Sequence, residues 1–143
     1  MVTSLWTRAE VGHRAAVVPA RLVAAFALPC SPQSAGAARG RVRAALVAAS
    51  LRDLTDDATL IASELVGNAV QHAHSPVDVA LIAAGDILVI LVADSSPLPP
   101  VIRAAGDCSE SGHGLMIVDA IADRWGHWAS NAGKTVWASI RFA

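Results

Sequence analysis

The apolar positions of this chain repeat at two different spacings, and the switches between them predict its elements. From Arg21 to Leu28 they alternate, with Leu22, Ala24, Phe26 and Leu28 on one face, which predicts a strand ending at Pro29. Pro29 to Gly36 reads as a loop. Between Ala37 and Ala49 the spacing becomes helical, with Val42, Leu46 and Ala49 on an apolar stripe and Arg39 and Arg43 outside it. Thr55 is the expected N-cap of a second helix, with Asp56 and Asp57 in the first turn, where the helix dipole favours negative charge. That helix should run to about Ala73, where Ser75 and Pro76 stop it. Val77–Ala84 and Ile87–Ala93 are strand-like runs joined at Gly85-Asp86, a pair suited to a tight hairpin turn, and the second run is apolar throughout, as a central strand is. Ser95 to Ser111 has no period and contains three prolines and Gly106, so it reads as a long loop. After Gly112-His113-Gly114 a third helix is expected from Leu115 to about Asp123. Trp125–Ser130 and Thr135–Phe142 read as a final hairpin around Asn131-Ala132-Gly133, with Val136, Ala138, Ile140 and Phe142 turned inward and Trp125 and Trp137 packed between the third helix and the sheet.

This order implies an α/β two-layer sandwich, a mixed and mostly antiparallel sheet covered on one face by about three helices. A chain of 143 residues, 54% hydrophobic and 16% charged, suits one core, assigned here to residues 21–143 after a weakly defined arm at 1–20 that carries Trp6. The net charge is −1 and the Lys and Arg residues are scattered, so neither nucleic acid nor a lipid surface is an expected partner. Cys30 and Cys108 form no C-x-x-C pair, which suits a reducing cytoplasm. The apolar stretch Ala15–Leu28 is interrupted by Pro19 and Arg21 and is too short to span a bilayer.

Chemistry concentrates on a few elements. At 100° per residue, Glu64, Asn68 and Gln71 of the second helix fall within about 60° of one another, while Ala62, Leu65, Val66, Ala69 and Ala73 fill the opposite side. Such a face is either an ordinary solvated surface or one wall of a site. Asp94, at the end of the buried strand, either starts the following turn through its side chain or accepts a hydrogen bond from an exocyclic amine. Gly112-x-Gly114 before a helix is either a flexible entry or a cradle of backbone N–H groups for phosphate. His72 and His74 lie two apart on a helix and point in different directions, with no third ligand at a standard spacing, so a zinc site is not indicated.

Taken as an ordered set, E-L-V-G-N-A-V-Q-H-A (64–73), D-S-S-P-L-P-P (94–100), E-S-G-H-G-L (110–115), D-R-W-G (123–126) and G-K-T-V-W-A (133–138) resemble the GHKL ATPase superfamily, and most closely its small anti-sigma-factor serine kinases of the RsbW type. The detailed resemblance covers Thr59 to Ala143, and residues 21–58 fit the family's first strand and helix in outline. It implies the Bergerat fold and Mg-ATP as ligand. It also implies that Asn68 ligates Mg²⁺, that Glu64 orients or deprotonates the attacking hydroxyl, and that Asp94 binds the adenine amine. Gly112, His113, Gly114 and Leu115 would flank the triphosphate at the end of a lid spanning about Pro97 to Ser111, and Thr135 would help hold the adenine. The implied partners are a sigma factor and an anti-sigma-factor antagonist. Relatives of this type form homodimers, although no heptad or apolar stripe here marks such an interface.

The departures matter as well. Gln71 stands where many relatives carry Lys or Arg that reaches a phosphate, and Gly67 replaces a common Thr inside the helix, at a cost of roughly 1 kcal/mol relative to Ala. His113 takes a place where many relatives have Arg. Two functions therefore stand side by side: a serine/threonine protein kinase, favoured by Glu64, and a binding module that uses ATP as a switch, for which Gln71 leaves room.

Overall fold

The computed structural model describes residues 19–100 and 113–142. Its elements, in chain order, are β1 (Ala20–Leu28), α1 (Ser34–Ala48), a 3-10 turn (Arg52–Leu54), α2 (Thr55–His72), β2 (Val77–Ala84), β3 (Ile87–Asp94), α3 (His113–Ile121), β4 (Arg124–Ser130) and β5 (Gly133–Arg141). The strands form one sheet in the order β1-β2-β3-β5-β4, and every neighbouring pair is antiparallel. The three helices pack on this open sheet, the predicted two-layer α/β sandwich. The sheet is wholly antiparallel rather than mixed.

The core lies between the helices and one sheet face. α1 contributes Ala38, Val42 and Leu46, one every four residues and all fully buried, so the stripe begins a turn earlier than expected and Ala49 lies at its margin. The helix itself starts at Ser34, whose hydroxyl donates to the Pro29 carbonyl at 2.5 Å. α2 is the central helix, burying Ala58, Ile61, Ala62, Leu65, Val66 and Ala69 against α1, α3 and the sheet. Thr55 is not its N-cap. The preceding 3-10 turn places Leu54 at the cap, and the Thr55 hydroxyl turns back to donate to the Arg52 carbonyl at 2.8 Å.

The hairpin at Gly85-Asp86 forms as expected, with Gly85 at φ 56°, a conformation that glycine adopts without a Cβ clash. β3 is buried on both faces: Leu88, Ile90 and Val92 join the helix-side core, while Val89 and Leu91 join Ala80, Ile82, Trp128 and Trp137 on the far side. Two expectations fail on side-chain parity. A bulge in β1 sets Leu22 opposite Ile82 but Ala24 opposite Leu81, so one extra residue intervenes and Leu22 is thrown to the far face, 57% exposed. Trp137 likewise belongs to the far face, because its neighbours Val136 and Ala138 point inward; only Trp125 packs against the helix-side core, its indole N–H donating to Asp119 Oδ1 at 2.7 Å. The arm at 1–18, with Trp6, lies outside the described residues.

Candidate functional site

The polar face of α2 runs along its solvent side as Glu64, Gly67, Asn68 and Gln71, spaced i, i+3, i+4 and i+7. Exposure is uneven along it: Glu64 is partly covered, Asn68 is only 9% exposed, and Gln71 stands open. A solvated face would not bury its middle amide. Beside the far end of this face, Gly67, Val70 and Gln71 line a cleft of about 280 Å³ with Ser31, Pro32 and Ala35. Among the described residues, nothing beyond the helix's own backbone and Gly67's chain neighbours comes within 4 Å of where a Gly67 side chain would begin, so this glycine borders open space.

The first turn of α3 comes down onto Glu64. A methyl group added to Gly114 would sit 2.5 Å from Glu64 Oε2 and 3.4 Å from its Cβ, so the bare Cα of this glycine is what lets the two elements meet. His113, Gly114 and Leu115 open the helix, where backbone N–H groups have no intrahelical acceptor and the helix dipole is positive. The Leu115 side chain is 1% exposed and belongs to the core, so only its backbone can serve a ligand. Gly112, the His113 side chain and residues 101–111 of the expected lid lie outside the described residues.

At the end of β3, Asp94 starts the following turn through its side chain. Its Oδ1 accepts from the Ser96 backbone N–H at 2.8 Å, the side-chain turn expected of an aspartate two residues before its donor. Oδ1 also accepts from Lys134 Nζ at 3.1 Å, and the same ammonium lies 3.0 Å from Oδ2 but outside hydrogen-bond alignment. Oδ2 is buried and has no hydrogen-bond partner among the described residues. Oδ1 therefore anchors the turn, while Oδ2 only faces the Lys134 ammonium.

Lys134 was not among the residues singled out from sequence, yet it is directly opposite Asp94 in the β3–β5 register and its side chain is 2% exposed. The signal was present in the alternation of β5: if Val136, Ala138 and Ile140 point inward, so does Lys134. By the same alternation Thr135 does not. It pairs with Ala93 and Trp128 and shares the far face with Trp137, so strand parity turns the Thr135 side chain away from Asp94. Gly133 explains how β5 can start so close. Its φ is 146°, and any Cβ there would overlap the Asp94 carbonyl oxygen and lie 2.7 Å from Ser95 Cα.

The histidines His72 and His74 are exposed, and among the described residues no three His, Cys, Asp or Glu side chains are grouped to hold a metal. Cys30 donates to the Ala73 carbonyl at 3.0 Å and, among the described residues, forms no disulfide.

Among curated proteins, none matches this chain. A family model does. The model of the histidine kinase-like ATPase domain matches residues 28–140, from the last residue of β1 into β5 and so across α2, Asp94 and the start of α3, and the chain belongs to that ATP-binding family.

Proposed function

We propose that the chain binds Mg-ATP and transfers the γ-phosphate to a serine or threonine of a partner protein, an anti-sigma-factor antagonist, and that in its other state it sequesters a sigma factor, as RsbW-type kinases do. The observation that carries the reading is the contact between Glu64 and Gly114, which sets a carboxylate against the helix end that would receive the phosphates. Glu64 would take the proton of the incoming hydroxyl as its oxygen attacks the γ-phosphorus and ADP leaves. Asp94 Oδ2, buried and without a hydrogen bond among the described residues, suits the adenine amine.

The donor set also suits Mg²⁺: the Asn68 amide oxygen would be its protein ligand, with Glu64 one turn away and phosphate oxygens completing the shell, since this ion is commonly held by one or two protein oxygens. When bound it offsets the negative charge of the phosphates. Asn68→Ala is expected to leave the fold intact and to weaken Mg-dependent ATP binding at least tenfold, about 1.4 kcal/mol, by titration calorimetry; unchanged affinity would remove Asn68 as the ligand. Gly114→Ala tests the Glu64 contact. The added methyl displaces a flexible carboxylate rather than backbone, so stability should stay within about 1 kcal/mol of the parent while the phosphotransfer rate falls roughly ten- to a hundredfold. An unchanged rate would show that Glu64 need not hold that position.

A second reading is supported by Gln71, exposed and neutral where relatives carry a phosphate-reaching cation: ATP as a conformational switch with little transfer. The test is γ-labelled ATP incubated with the protein and whatever co-purifies with it. Label on a partner serine or threonine supports the kinase, and bound nucleotide with no labelled partner supports the switch. We assign the ATP domain to residues 21–143, the arm to 1–20, and the protein to the cytoplasm; no helix among the described residues is long and apolar enough to cross a membrane.

A further inference from the structure

None of the roles above uses Lys134. Its ammonium carries three donors, and among the described residues only Asp94 Oδ1 accepts one in line, although the side chain is 2% exposed. A lysine held this dry with donors to spare is unfavourable, and an apolar residue of similar volume would often serve the fold as well. Beside it, Asp94 Oδ2 is buried, ion-paired with Nζ at 3.0 Å, and without an aligned hydrogen bond among the described residues, so it keeps acceptor capacity. Spare donor and acceptor capacity thus adjoin, both on the helix side of the sheet, at the point where β3 ends and β5 begins.

We propose that Lys134 is a second base-reading residue, donating to the adenine ring nitrogen N1 while Asp94 Oδ2 accepts from the N6 amine. The inference rests on the ATP-site reading. N6 and N1 are bonded to the same ring carbon, so they present a donor and an acceptor side by side, the complement of what the pair offers. Guanine sets O6 and N1–H on the same carbon and the pair can meet those too, but its neighbouring 2-amino group would then need Oδ1. That oxygen already accepts from Ser96 N–H and Lys134, which fills its two lone-pair directions. Selection for adenine thus comes from the occupied Oδ1 as well as from the open Oδ2. Carboxylate repulsion of O6 alone does not supply it, because Lys134 relieves that repulsion.

The test changes the ligand first. The unmutated protein is titrated with ATP and with its 1-deaza analogue, in which C–H replaces N1 and the N6 amine is kept. Loss of a hydrogen bond from a charged donor predicts an affinity lower by about ten- to a hundredfold for the analogue. Lys134→Met, which keeps the stem and removes the donor, should bind the two nucleotides alike. Measurable and equal binding of both by the unmutated protein overturns the Lys134 contact while leaving the ATP reading in place. So does a folded Lys134→Met that retains the full preference for ATP. No binding of either nucleotide to the unmutated protein overturns the ATP reading and the inference with it. Because Lys134→Met leaves Asp94 buried without its cation, the response of the unmutated protein decides the matter even where the variant does not fold.

Discussion

Asp94→Ala is expected to lower folding stability by about 3–5 kcal/mol, before any question of nucleotide arises. The carboxylate and Lys134 are 1% and 2% exposed and 3.0 Å apart, so removing one partner strands an ammonium that is nearly out of water and has lost its counter-charge. The Ser96 N–H loses its acceptor in the same step. The surface pair Arg141–Asp86 makes the contrast: at 2.7 Å it is shorter, but its side chains are 66% and 54% exposed, and its loss should cost about 0–1 kcal/mol. Urea denaturation of Asp94→Ala, Lys134→Met and the double variant gives the coupling directly. The double variant should be more stable than Asp94→Ala, because no uncompensated charge remains. If Asp94→Ala stays within about 1 kcal/mol of the parent, Lys134 reaches solvent in solution and the pair is not closed. The consequence for function is practical. Lost ATP binding in Asp94→Ala alone does not establish base reading, since the fold is damaged too.

Glu64→Gln is expected to act in the opposite way, sparing stability and affinity while slowing phosphotransfer by about 10²–10⁴. Glutamine keeps the shape of the side chain, so the approach of Gly114 and the cover of α2 are preserved, and only the basicity that would accept the hydroxyl proton is lost. Single-turnover transfer and nucleotide titration on the same pair of proteins separate the two effects. A variant as fast as the parent discards the general-base role. A parent that binds ATP yet transfers to no partner favours the switch.

Much of this architecture was legible because its signals are local. α2 announces itself by helical spacing over eighteen residues, the β2–β3 hairpin by Gly85-Asp86, and β3 by an apolar run that the fold buries on both faces. The polar face with Glu64 and Asn68 followed from the same spacing. What was missed depends on geometry that local pattern does not carry. The bulge in β1 adds one residue and sends Leu22 to the other face, with nothing in the alternating apolar run to mark it. β5 enters between β3 and β4, so the residue opposite Asp94 comes from forty positions along the chain, a pairing set by tertiary packing. Lys134 carries no local signal of burial, since lysines are seldom buried, although the inward run Val136, Ala138, Ile140 places it on the Asp94 side.

The account's central claim is an ATP site on this domain, and calorimetric titration of the unmutated protein with ATP, with and without Mg²⁺, tests it most directly. The prediction is saturable binding of one nucleotide per chain, tighter with Mg²⁺ and weaker for GTP. Folded protein that shows no saturable binding of ATP or ADP in the presence of Mg²⁺ would contradict it.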